Sequence, residues 1–484
     1  MSDQRRSRRA RVSPLGAGVR SAFLPGWGQY AQGRKETAMA MFRVLILILA
    51  AGAAAIVAGD RLLSMLVRPG FLLGLLAANL VVLAFRGFSV WDAWRGSGGR
   101  AATAGLIVLL VLVAVPHLAL GYFQGQGYRL LNSVFGGGSP TTTVAASPST
   151  SGEPGTTSGG AVVTTTTVPP TTTTTIPWEG KERVNILLLG GDSGPGRSGI
   201  RTDTMIVASI DLDDGDIAMF GLPRNLSGLE FPDGTEFTAY SGILNEVYPY
   251  GWDNPDRYPV ENPGAAAIMD MAEGITGLDI DYYVLVNLQA FVKVVDALGG
   301  VTIYVPTAVH DDEYPKEDGT TITIDIPAGT QELNGTEALA YVRSRRQSDD
   351  YNRMARQRCF LTAVADQADV GSLITALPTL VPVIEENVQT DIPLSALPNL
   401  IELGGIVKAS DALVVGFGPP DWITGRTAQR YPIPNLDKIH EAVQLSIEDP
   451  DEARVVYGLQ EAGDACGYGE DSTNGPASTT TAGG

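Results

Sequence analysis

Histidine is nearly missing from this chain, with only His117, His310 and His440 among 484 residues. One of them, His117, precedes the GDSG of residues 191–194, and it lies inside an apolar run, so a triad in chymotrypsin order is excluded. Cysteine is scarcer still. Cys359 and Cys466 stand far apart, which leaves open a buried pair of thiols or, in a domain outside the cytoplasm, a disulfide. The glycine-rich turn GGDSGPGRSG lacks a GK[ST] ending, which excludes a nucleotide-binding P-loop. No short apolar stretch with a small-residue cleavage site opens the chain, which argues against a cleavable signal peptide. Positive charge is also missing where it would be needed to bind nucleic acid. Residues 1–130 hold 15 Lys+Arg against 4 Asp+Glu, whereas residues 131–484 hold 19 against 49. The soluble half is therefore strongly acidic, which speaks against a nucleic-acid partner.

Against that acidity, residues 341–358, YVRSRRQSDDYNRMARQR, carry six arginines. Such a cluster repels itself unless a dense negative charge sits against it. Planar guanidinium forks suit phosphate, so the stretch predicts a site for a pyrophosphate-bearing ligand. In extended backbone Arg343 and Arg345 point the same way and Arg346 elsewhere. Arg353, Arg356 and Gln357 share one helical face that Phe360 continues, and Arg358 lies off it. Arg346 and Arg358 are expected to be solvated or paired with surface acids. Asp349 and Asp350 read as helix caps, with Asp350 also placed at the mouth of the cluster as a proton acceptor.

The basic first 38 residues read as a cytoplasmic segment, and 39–123 as a membrane anchor with apolar runs at 39–59, 71–85 and 104–123. Three crossings satisfy the positive-inside rule and put the rest of the chain outside the cytoplasm. The second run is short; were it only a re-entrant hairpin, the soluble domain would lie inside. Residues 124–177, rich in Gly, Ser, Thr and Pro, read as a spacer, with a reach on the order of 100 Å in polyproline geometry. A folded domain is expected over 178–466 and a disordered tail over 467–484. Within the domain, VNILLLG (184–190), TMIVASI (204–210), IAMFGL (217–222) and YYVLVN (282–287) are strand-like. Helical spacing recurs at 265–275, 288–298, 351–367 and 436–449. The interleaving predicts an α/β layered fold with ligands near strand ends.

Asp192 and Asp203 flank the glycine-rich turn, where two carboxylates suit a hard divalent cation; as isolated residues they read as turn or cap aspartates. With Arg201 and Arg224 they form an alternating rim of the kind used for phosphoryl transfer. A different chemistry, an esterase of the GDS-serine type, would use Ser193 with Asp437 and His440, although no Gly-x-Asn-Asp block accompanies them.

These residues together resemble the LytR-CpsA-Psr family of cell-wall ligases over roughly 183–367. The resemblance rests on NILLLGGD, RTDTM, the Pro-Arg after the third strand, LNEVYPYG, GLDIDYYVLVNLQAFVKVVDALGGVTIYVP, LNGTEALAYVRSR and the D-x-x-R-x-x-R-Q helix. It implies a central mixed β-sheet flanked by helices behind a membrane anchor, with the catalytic domain outside the cytoplasm. It also implies transfer of a glycopolymer from a polyprenyl-pyrophosphate carrier to peptidoglycan through a phosphodiester, with release of lipid phosphate. Pyrophosphate binding would fall to Arg201, Arg224, Arg343, Arg345, Arg353 and Gln357, magnesium to Asp192 and Asp203, and catalysis to Arg345 with Asp350 or Asp203 as base. Two departures stand out: the family's Pro-Arg-Asp is here Pro223, Arg224, Asn225, and its Lys-Ile-Asn is Ile243, Leu244, Asn245. The lost acid keeps alive a non-catalytic carrier-binding or regulatory protein.

Overall fold

The structure, a computed structural model, describes residues 12–57, 64–95, 100–135, 178, 180–192, 200–232, 240–316, 320–346, 350–367 and 370–466. Three N-terminal helices, Lys35–Val57, Pro69–Trp94 and Arg100–Val134, are long and apolar enough to cross a membrane. A short amphipathic helix, Pro14–Phe23, begins at Pro14 behind the Ser13 cap and packs along the helix Pro69–Trp94. Where that longer helix ends, buried Asp92 accepts from Arg34 and Arg95, both at 2.7 Å. The third helix runs on through residues 124–134, so the expected spacer begins at least eleven residues later than its composition suggested. Helical side-chain hydrogen bonds from Asn132 and Ser133 to Tyr128 and Arg129 carbonyls accompany that extension.

The domain is built on a seven-stranded mixed sheet. In chain order its strands are β1 (Arg183–Asp192), β2 (Arg201–Asp211), β3 (Ile217–Gly221), and then, after β4 (Ser227–Leu229) and β5 (Tyr240–Ile243), β6 (Tyr282–Asn287). Next come β7 (Val301–Val305), β8 (Val309–Pro315), β9 (Thr321–Ile326) and β10 (Gly329–Leu333), which pair among themselves, β7 with β10 and β8 with β9. The main sheet is completed by β11 (Val388–Thr390), β12 (Leu413–Gly416) and, after the β13–β14 ribbon (Ile423–Arg426, Pro432–Pro434), β15 (Gln460–Glu461). Its spatial order is β11-β6-β1-β2-β3-β12-β15. Strands β1 and β6 run parallel, as do β3 and β12, while the other neighbours are antiparallel.

Alternation along β1 divides the apolar side chains between two layers. Leu187 and Leu189 join the main core beneath helices Pro263–Thr276 and Leu436–Glu448. Val184 and Ile186 join a second core with Trp178, Ile392, Ala396 and Leu403. The helix Pro263–Thr276 is solid core: Ala265, Ala267, Ile268, Met271 and Ala272 are at most 1% exposed. At the end of β1 the side chains disappear because there is no room for them. A Cβ on Gly190 would lie 2.8 Å from Thr204 Cβ, and one on Gly191 would lie 2.8 Å from Ile200 Cγ2. A register shift between the same two glycines delivers the end of β1 to the site.

The arginine-bearing helix, Asp350–Gln367, lies between the β3–β12 part of the sheet and a further core that includes Val301, Ile303, Leu339 and Phe360. Cys359 and Cys466 meet in that core with their sulfurs 2.08 Å apart and Cα atoms 5.3 Å apart. Helix Gly335–Arg343 precedes it, opened by Asn334 and Glu337 in a reciprocal capping box. Arg343 therefore ends a helix; only Ser344 and Arg345 leave it in extended form, not the whole YVRSR segment.

Candidate pyrophosphate site

The site collects three chain segments at the ends of β1, β2 and β3 and the start of the arginine helix. Arg224 follows β3 by three residues and reaches Asp203 of β2, with Nη1 2.7 Å from Oδ1. Its Nε lies 3.4 Å from Oδ2 of Asp350, the first residue of the arginine helix. Arg353, one turn on, is 2% exposed and places Nη1 3.3 Å from Asp350 Oδ1, while its Nη2 donates to the Asp203 carbonyl at 3.2 Å. Arg345 approaches the same Asp350 oxygen at 3.5 Å from the solvent side. Arg343, beside this group, reaches Asp192 at 3.4 Å. Three guanidiniums thus surround Asp350, and a fourth faces the neighbouring carboxylate.

These contacts set the charge states. Burial pushes the Asp203 carboxyl up, but Arg224, Asn245 and Arg353 outweigh it and hold it below the usual carboxylate range. Burial works to lower Arg224, yet Asp203 and Asp350 hold it above its ordinary value. For Arg353 burial wins over Asp350 and draws the group down to about 10, which still leaves it charged at neutral pH. Both side-chain contacts on Asp203 fall on Oδ1, since Asn245 Nδ2 donates there as well at 3.1 Å.

Not every expected residue joins the group. Arg356 donates to the Ser344 carbonyl, and its guanidinium carbon lies 5.7 Å from the centre of the Tyr341 ring. Gln357, 7% exposed, donates to the Val342 carbonyl at 3.2 Å. Both side chains occupy the open carbonyls at the end of helix Gly335–Arg343, so the expected face of Arg353, Arg356 and Gln357 splits. Gln357, expected as a pyrophosphate ligand, thus spends one amide N–H on backbone, and its part in binding passes to the proposals below. Arg201 stands opposite Asp192 in register but is well exposed, paired loosely with Glu246 at 3.7 Å. Arg346 binds Asp312 and Glu313 at 2.9 and 2.7 Å, as expected of a surface arginine. Arg358 is a correction too: its guanidinium turns inward over Gly221 and Gly416, where a Cβ would lie 2.8 and 3.1 Å from Nη1. Burial draws it down to about 10.

Asn245 was missed as a site residue. The signal was present, because the sequence keeps this asparagine where the neighbouring lysine position has become Ile243. Asn225, which replaces the expected acid, has its Oδ1 buried with no hydrogen bond.

Of the residues in the esterase reading, the structure describes two. His440 Nε2 contacts the Gly274 carbonyl at 3.0 Å and its ring packs on Gly277. Asp437 is on the same helix as His440. Ser193, like Asp349, lies outside the described residues.

Among the described residues no group of three or more acids and histidines gathers as a metal site. Asp192 and Asp203 lie on adjacent strands, each paired with an arginine, Arg343 and Arg224. A small cleft of about 30 Å³ is lined by Gly191, Ile200, Leu285, Asn287, Glu386 and Asn387, together with Gln389. A roomier cleft of about 360 Å³, lined by Asp296, Glu332 and Glu337 among others, is acidic and unsuited to pyrophosphate.

The chain is 31% identical over 219 residues to the polyisoprenyl-teichoic acid–peptidoglycan teichoic acid transferase TagU of Halalkalibacterium halodurans, covering 45% of this chain and 64% of that one. It is 28% identical over 214 residues to TagU of Bacillus subtilis, covering 44% and 61%. It therefore spans less than two thirds of these relatives' own lengths. The crystal structure of B. subtilis TagV matches 55% of this chain and 98% of its own at 24% identity, with a TM-score of 0.41, too loose a likeness to reason from. The model of the LytR_cpsA_psr family matches residues 153–442, well over half the sequence. By that match, the chain belongs to the LytR_cpsA_psr family.

Proposed function

We propose that the protein transfers a glycopolymer from a polyprenyl-pyrophosphate carrier to peptidoglycan, forming a phosphodiester and releasing lipid phosphate. The observation that carries this reading is the convergence of Arg224, Arg345 and Arg353 on one carboxylate, Asp350, beside Asp203 and the Arg343–Asp192 pair. Without a ligand, Asp350 serves as the anion that lets three guanidiniums stand together. A pyrophosphate offers the same arginines more charge and more acceptor oxygens. In this reaction a sugar hydroxyl attacks the glycan-side phosphorus, its oxygen bonds to that phosphorus, the bridging bond to the lipid phosphate breaks, and the hydroxyl proton leaves with the departing lipid phosphate. Arg224, Arg345 and Arg353 orient the pyrophosphate and take up the charge that develops on its oxygens. Both Asp350 oxygens face guanidiniums, so we assign it the task of holding them rather than accepting a proton. The loose transition state of phosphoryl transfer asks little of a base. Asp192 and Asp203 would hold magnesium, which when bound adds charge neutralisation on the phosphate oxygens.

We assign the anchor three membrane crossings with the N-terminus in the cytoplasm, which sets the domain outside and lets Cys359 and Cys466 persist as a disulfide. The transferase names of the relatives support the glycopolymer and peptidoglycan parts of the reading. The unpartnered Asn225 oxygen favours one competing role, binding of the carrier without turnover. The test uses full-length protein in vesicles with a polyprenyl-pyrophosphate-linked glycan, peptidoglycan and magnesium. Release of lipid phosphate should fall about 100-fold or more in Arg345→Ala, a half-exposed position whose truncation leaves the fold intact. Tight donor binding with no release in the unaltered protein would support the carrier-binding role instead.

A further inference from the structure

The helix Arg100–Val134 is 35 residues long, about 52 Å, against a hydrocarbon core of about 30 Å. Its last turns are not apolar all round: Gln124, Gln126, Arg129, Asn132 and Ser133 interrupt them. This outer part packs along the helix Val370–Asn387, which in turn packs on the helix Leu288–Ala297 of the domain. Leu131 is 7% exposed, and Arg129 Nη2 bonds Glu385 Oε2 at 3.0 Å. Four residues beyond Leu131 on the same face, Phe135 packs into the second core of the domain, the one that contains Trp178, Val184 and Ile186. Phe135 and Trp178, one on each side of residues 136–177, therefore meet in the same core. Glu385 is followed directly by Glu386 and Asn387, which line the cleft beside Gly191.

We infer that the third apolar helix and the catalytic domain form one docked unit, seated through Leu131 and Phe135, and that residues 136–177 do not set the distance between the site and the membrane. The domain takes its height above the bilayer from a rigid helix. The cleft beside Gly191 then meets the phosphate end of a carrier whose chain is embedded in that bilayer, a consequence that rests on the donor reading above. The exposed Arg129–Glu385 pair adds little energy, so burial of Leu131 and Phe135 carries the docking.

The test measures geometry first and activity second. Full-length protein in vesicles carries Arg129→Cys and Glu385→Cys and is treated with a bismaleimide of about 10 Å reach. Three versions are compared: the natural chain, one with residues 136–177 replaced by twelve Gly/Ser residues, and one with that segment doubled. Docking predicts the same cross-linking rate, within twofold, in all three. A freely tethered domain predicts a rate about threefold lower on doubling, because local concentration falls as roughly the −3/2 power of linker length. That result, or no cross-link in any version, overturns the inference. Leu131→Asp with Phe135→Asp should abolish cross-linking. The same pair should lower release from a vesicle-embedded donor about tenfold and leave release from a detergent-dispersed short-chain donor unchanged. Equal loss with both donors would show general damage and overturn the positioning role. Were no version to turn over any donor, the transferase reading would fail while the cross-linking rates still decided the docking.

Discussion

Replacing Asp350 with asparagine separates the two roles open to it. Its oxygens stand 3.3, 3.4 and 3.5 Å from nitrogens of Arg353, Arg224 and Arg345. At about 4 Å between charge centres and an effective dielectric of about 20, each pair attracts by about 4 kcal/mol before desolvation is counted. Arg345 is 51% exposed, so its share is screened, and Arg224 keeps Asp203 as a partner. Among the described residues Arg353 has one side-chain carboxylate at ion-pair distance and loses it, and removing one partner from a buried pair costs about 3–5 kcal/mol. Asp350→Asn is expected to lose about 2–4 kcal/mol of stability, measured by thermal or denaturant unfolding of the full chain in detergent. Inorganic pyrophosphate should bind it about tenfold more tightly by calorimetry, because a competing negative charge has left the site. Turnover of the lipid-linked donor should stay within about tenfold of the unaltered protein. A loss of a thousandfold or more with unchanged pyrophosphate affinity would identify Asp350 as the proton acceptor and refute its assignment as counter-ion.

Asp391 gives a pH signature. Burial pushes its carboxyl up to about 6 although it accepts from the Tyr283 amide. The native state then holds a proton that the unfolded chain has released, so stability is full below about pH 4 and declines as pH rises through about 6. Asp391→Asn should be more stable than the unaltered protein at pH 7 by up to about 3 kcal/mol, and the difference should vanish near pH 4 in denaturant titrations. Cys466→Ser frees a chain segment of 107 residues and should cost about 2–5 kcal/mol. Free thiols at both positions in protein from its native membrane would refute the bond. Gln357→Leu should slow turnover by loosening the Arg345 segment while leaving inorganic pyrophosphate bound at near-normal affinity; a parallel loss of affinity would return Gln357 to the ligand set. Chelation of magnesium should suppress turnover, and Asp192→Asn with Asp203→Asn should raise the concentration of magnesium needed to restore it.

The strands were legible because their signal is local. VNILLLG and YYVLVN have the length and β-branched or aromatic content of buried strands, and both are interior strands of the sheet. Helices 263–276 and 288–297 were legible from apolar spacing, and the second also from its glycine exit, where Gly299 has a positive φ. Helix ends were less so. Composition marked residue 124 as the start of a spacer, yet a helix seated against protein needs only one apolar face, and Leu131 with Phe135 provides it.

The site was legible as charge and not as direction. The excess of arginine over any local acid singled out 343–358, but periodicity assigns side chains to faces and cannot say what each face meets. Arg353, Arg356 and Gln357 share a helical face; Arg353 alone turns to the carboxylates, because the last carbonyls of the preceding helix capture the other two. The same limit hid Arg358, whose inward turn depends on Gly221 and Gly416, registered on neighbouring strands nearly two hundred residues apart. Asp350 makes the point most sharply. From sequence it was an acid among arginines and so a natural proton acceptor; three guanidinium contacts make it their anchor, a difference only the Asp350→Asn turnover can decide.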